Sequence, residues 1–134
     1  MEDGKLLIAP YEGGDIVLVD IRGGGVQSRV NARTNLPMQA VFTMGDGSGA
    51  GSGDGSGPGL AIADTSFHRV LVWDTVDAAL AGANPSREIG EGGVGARPQT
   101  SATGLYFPAS ILDLGDTMLI GEFKFSNRIL AFAD

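Results

Sequence analysis

Two acid–arginine pairs stand at hairpin spacing. Asp64 and Arg69 bracket a four-residue turn, and Glu122 and Arg128 bracket a turn one residue longer. On antiparallel neighbours such residues face one another, so each pair is read as a structural staple across the strand ends rather than as a polar rim site. His68 lies within the first turn. General base work or metal ligation would need convergent carboxylates or further imidazoles, and His68 is the only histidine. It is read as a satisfied turn residue. Asp46 and Asp54, in the tract GDGSGAGSGDGSGPG (45–59), invite a calcium reading. Counted from Asp46, an EF-hand loop would place Ala50 and Gly57 where oxygen ligands are needed, so the match fails. The tract also lacks the Gly-Lys-Ser/Thr ending of a phosphate-binding loop and is read as a flexible solvated loop. With no cysteine there is no thiol nucleophile and no thiolate metal site. No catalytic residue, metal or cofactor is expected. Phe123 and Phe125, in the turn between Glu122 and Arg128, are the aromatics best placed for partner contact. Trp73 and Phe132 lie in apolar runs and are read as core.

The elements that must position these residues are short. Leu, Ile, Val and Phe make up about a quarter of the 134 residues, above the roughly one-fifth share below which chains stay disordered. A single domain with a real core is expected. The formal charge of −7 opposes the counterion-release attraction of nucleic acids. No apolar stretch approaches the ~20 residues of a membrane-spanning helix, and the acidic start MEDGKLLIAP does not read as a secretory signal. A cytoplasmic protein without nucleic-acid or membrane partners is expected.

Six apolar runs recur: LLIA (6–9), IVLV (16–19), LAIA (60–63), VLVW (70–73), MLIG (118–121) and ILAF (129–132). Continuous rather than alternating apolarity marks strands covered on both faces. The gaps within each pair are too short for helical crossovers, so the strands are antiparallel hairpins. Asp77 to Ala81 is the one helix candidate. Small antiparallel sheets stacked face on face reconcile these features, and a β-propeller is built in that way. The period agrees. Residues 6–20, 60–74 and 118–132 superpose as hairpins with Ala9, Ala63 and Gly121 equivalent. Leu36-Pro37 matches Phe107-Pro108 as a proline-led entry into a strand. Further strands are expected at Gln27–Val30 and Ser86–Gly90.

The segment from Ala63 to Asp74, ADTSFHRVLVWD, resembles the core signature of NHL-repeat β-propellers, in which an Ala-Asp-Thr-Gly-Asn-His-Arg-Val-type hairpin recurs once per blade. Thr103-Gly104-Leu105-Tyr106-Phe107-Pro108, Glu122 and Asn127-Arg128-Ile129-Leu130 extend the likeness. The first repeat departs from it, with Pro10 and Asp15 where Asp64 and Arg69 stand. The resemblance implies an all-β partial propeller of about ten strands, with repeat units near 4–34, 35–91 and 104–134. From the inside outward the strands would read b-c-d, a-b-c-d and a-b-c. The channel-lining strands would be 37–42 and 108–112, which offer Gln39 and Ser110 but no carboxylate. The expected function is a non-enzymatic interaction or scaffold module that completes its ring by self-association. A homodimer of six blades is expected, with five the alternative count. The rival readings are a propeller lyase or lactone hydrolase whose site forms between chains, and a designed or truncated fragment without evolved activity. The end faces to be covered are expected to carry Ile16 to Val19 at one end and Ile129, Leu130 and Phe132 at the other.

Overall fold

A computed structural model describes residues 5–10, 14–43, 58–97 and 100–133. Among them are ten strands: β1 (Lys5–Ile8), β2 (Asp15–Asp20), β3 (Gly25–Asn31), β4 (Pro37–Thr43), β5 (Gly59–Asp64), β6 (Arg69–Trp73), β7 (Arg87–Ile89), β8 (Pro108–Asp113), β9 (Thr117–Glu122) and β10 (Ile129–Ala133). They form three antiparallel sheets, β1-β2-β3, β4-β5-β6-β7 and β8-β9-β10. The fold is all-β apart from a 3₁₀ turn at Thr65–Phe67 and one short helix, α1 (Val76–Leu80). That helix starts one residue earlier than its sequence suggests, because Thr75 Oγ1 accepts the Ala78 N–H at 3.0 Å and caps it. The glycine tract, with Asp46 and Asp54, lies outside the described residues except for Pro58 and Gly59.

The LAIA run explains the layering. Every residue of β5 is buried, and successive side chains point to opposite faces. Leu60 and Ile62 join Leu71, Trp73, Ile16 of the first sheet and Ala79 of α1 in one cluster. Ala61 and Ala63 join Val70, Ile89, Leu105 and, from the third sheet, Ile111, Met118 and Ile120 in another. The alanine face leaves room for the larger side chains of its neighbour. The middle sheet is thus packed on both sides.

Polar bonds tie the middle sheet to the third. Ile111 N–H donates to Gln39 Oε1. The Thr65 hydroxyl donates to the Pro108 carbonyl at 2.6 Å, and Phe107 N–H donates to His68 Nδ1 at 3.2 Å.

Among the described residues the two outer sheets each keep one face partly open, and its membership differs from the sequence expectation. Ile16 is fully buried against the middle sheet. Leu130 and Phe132 likewise pack inward. The period of two then sends their neighbours outward. In the third sheet, Leu112 pairs with Leu119, Leu119 with Ala131, and Gly121 with Ile129. Leu112 is 56% and Ile129 75% exposed. In the first sheet, Leu6 pairs with Val19, which pairs with Val26, and Ile8 pairs with Val17. Leu6, Ile8 and Val26 are exposed, whereas Val17 on the same face is buried.

Candidate interaction site

The structure places Asp64 and Arg69 opposite one another at the end of the β5–β6 ladder. Arg69 Nε donates to Asp64 Oδ2 at 2.7 Å, and Nη1 reaches Glu88 Oε2 at 3.1 Å. Asp64 is wholly buried, and its second oxygen accepts the Asn35 N–H at 2.6 Å. Burial raises its carboxyl above the ordinary range, against the opposing pull of the Asn35 amide and Arg69.

The third sheet repeats the arrangement. Arg128 holds Glu122 through Nε at 2.6 Å and Nη2 at 3.0 Å, and also donates to the carbonyls of Ser101 and Gly104. Glu122 Oε1 accepts the Tyr106 N–H at 2.6 Å. Burial pushes the Glu122 carboxyl up, but the bonds from Arg128 and the Tyr106 amide outweigh it and hold the group below its usual value.

Asn35 and Tyr106 each stand two residues before the repeated proline. Between amide and proline lie Leu36 and Phe107, both left-handed, at φ 51° and 50°. A bulky residue there is strained by about 1–3 kcal/mol. Each buried carboxylate therefore does two things: it neutralises an arginine and grips the backbone beside a strained turn. Residue types and hairpin spacing alone do not point to Asn35, Tyr106 or Glu88 in these roles. The matching offsets from Pro37 and Pro108 were the signal that could have found the first two.

His68 occupies a left-handed turn position, φ 57°, equivalent to Gly14 and Asn127, which are also left-handed. Because Nδ1 accepts the Phe107 amide, the neutral ring carries its proton on Nε2. Burial lowers its pKa. The ring stacks on Tyr106 at 5.7 Å and meets Phe107 edge-on at 4.5 Å. Phe107 then touches Phe123, and Tyr106 touches Phe125, both at 5.9 Å. Lys124 Nζ lies 4.3 Å from the Phe107 ring centre and 5.1 Å from that of Phe123. Of the two aromatics singled out for partner contact, Phe125 is 79% exposed and Phe123 half-buried.

These groups can pack, hydrogen-bond and stack. Among the described residues no three His, Asp or Glu side chains converge as a metal ion would need, and no helix is long and apolar enough to cross a membrane. The chain matches no known family model and no curated protein.

Proposed function

We propose that the three sheets are blades of an NHL-type propeller and that the chain is a non-enzymatic interaction module which completes its ring with a second copy of itself. One observation carries this reading: each outer sheet has an apolar face of the same kind as those buried inside the molecule, with Leu6, Ile8 and Val26 exposed on one and Leu112 and Ile129 on the other. The middle sheet supplies the template, since a like sheet with both faces covered has a completely buried central strand. Leaving such faces in water costs about 25 cal/mol per Å² of apolar surface, and patches of this kind mark association sites. The two faces belong to opposite ends of a stack, so contact between copies is head to tail, and two such seams close a dimer. Strand numbers of three, four and three, with β4 beside β8 at the sheet-to-sheet contact, accord with blades arranged around an inner edge.

Sedimentation equilibrium at micromolar concentration should report twice the 13.7 kDa chain mass. Ile129→Asp, on the open face, should shift the protein to monomer with its β circular dichroism retained. A stable, soluble monomer in the unsubstituted protein overturns self-association and favours a fragment without evolved assembly. Tightly bound calcium or zinc in the purified dimer would overturn the non-enzymatic reading in favour of a lyase or hydrolase site between chains.

A further inference from the structure

A cavity of about 140 Å³ opens between the first and middle sheets, beside α1. It shares no residue with the open faces or the aromatic cluster. Its apolar lining includes Val30, Trp73 and Ala79, and both Trp73 and Ala79 are almost fully buried. Its polar lining includes Asn31, Arg33 and Asn84, all exposed. The lining is therefore mainly polar, with a small apolar floor formed by Val30, Trp73 and Ala79.

The charge in that lining is unusual for this protein. The chain carries 16 acidic residues against 9 basic, yet among the described residues Arg33 is the only charged one lining the cavity. Arg69 and Arg128 are engaged by buried carboxylates, and Arg29 faces Asp15 at 3.7 Å. Among the described residues Arg33 has no carboxylate partner. Its backbone is also held. Arg33 N–H donates to Asn31 Oδ1 at 2.9 Å, and its φ of 56° is a sparsely populated conformation for a non-glycine residue. Strain of this kind concentrates at ligand clamps.

We propose that this cavity binds a small organic monocarboxylate with a compact apolar body. The guanidinium of Arg33 takes the carboxylate in a two-pronged hydrogen bond, which its planar fork suits. The apolar body lies against Val30, Trp73 and Ala79. A cavity of roughly 150 Å³ accommodates benzene, so a single ring or a short branched chain sets the upper size. Trp73 supplies surface rather than a donor, because its indole N–H is already given to the Ala83 carbonyl at 2.9 Å.

Trp73 is the only tryptophan, so its indole N–H gives one resonance in a ¹H–¹⁵N spectrum and reports directly on the cavity. Benzoate is the probe, titrated to about 10 mM, tenfold above the ~1 mM dissociation constant of a weak ligand. Benzyl alcohol is the uncharged counterpart, and inorganic phosphate the anion without an apolar body. A saturable shift with benzoate is expected, with at least tenfold weaker binding of the other two. Arg33→Gln, an exposed substitution that leaves the fold intact, should weaken benzoate at least tenfold and leave benzyl alcohol unchanged. Ala79→Leu, which fills the cavity, should remove the response to both. The proposal is overturned by no saturable shift with benzoate, by equal affinity for benzoate and benzyl alcohol, by equal affinity for benzoate and phosphate, or by unchanged benzoate binding in Arg33→Gln. None of these readings depends on whether the protein dimerises.

Discussion

Removing the Arg69 side chain should do more damage than loss of a surface ion pair. Exposed pairs are worth about 0.2–1 kcal/mol, but the Asp64 side chain is 0% and that of Arg69 only 15% exposed. Arg69→Ala leaves a buried carboxylate that still accepts the Asn35 amide but has lost its cation. Breaking a buried pair in this way costs ~3 kcal/mol or somewhat more. At a conversion of roughly 3–5 °C per kcal/mol for a chain of this size, the thermal midpoint should fall by about 10 °C. The deficit should also depend on pH. Asp64 has a raised carboxyl pKa, chiefly through burial, and loss of the guanidinium raises it further. A group raised on folding stabilises fully below its unfolded value and loses that contribution as pH rises through the folded one. The penalty should therefore be small near pH 4 and largest near pH 7. Adding Asp64→Asn to Arg69→Ala should recover part of the loss at neutral pH, because the amide carbonyl still accepts from Asn35 without a charge. Differential scanning calorimetry across that range is the assay. A loss under ~1 kcal/mol, or one that is the same at both ends of the range, would refute the buried-pair reasoning.

Three further outcomes can be checked. Acid should weaken the fold through His68: its pKa is lowered by burial, so its contribution is present above the unfolded value of 6.5 and lost as pH falls through the folded one; His68→Gln should flatten that part of a denaturation-versus-pH profile. Gly92→Ala should lower stability by ~1–3 kcal/mol in urea unfolding, since an added methyl meets the Phe67 and His68 carbonyls, which are backbone and cannot swing aside; a neutral result would mean that the loop shifts freely. Shortening the glycine tract between Gly45 and Gly57 to about four residues should leave the unfolding midpoint unchanged or higher, as each halving of a loop saves about 0.6 kcal/mol of closure entropy; loss of a bound metal on shortening would return Asp46 and Asp54 to consideration as ligands.

The hairpins were legible because their signals are local. LAIA and VLVW are continuous apolar runs around a short turn, and the acid and arginine flank that turn at ladder spacing. The three-sheet order could be written from repeat alignment alone. What escaped was whatever depends on register or on backbone between elements. Ile129 and Leu130 are equally apolar, and only the pairing of Ile129 with Gly121 and Leu130 with Ile120 decides which faces outward. Leu36 and Phe107 precede prolines, which suggests extended backbone, yet both are left-handed because the preceding amides are held by Asp64 and Glu122. Arg33 gave no signal at all, since its surroundings come from α1, some 45 residues further along the chain.

The burial of β5 on both faces also dictates how the protein breathes. Stacked sheets resemble a one-dimensional array in which each unit is stabilised by its neighbours. The middle sheet has two neighbours and the outer sheets one apiece. Amide hydrogens of Leu60 to Ala63 should therefore exchange with solvent only when the whole chain opens, whereas those of β3 and β10 should exchange through partial openings of lower free energy. If copies associate as proposed, dilution to the monomer should leave exchange at Leu60 to Ala63 the slowest in the chain while accelerating it most at the outer sheets. The pattern of protection along ten strands would then record, residue by residue, which sheet is held from both sides and which is held from one.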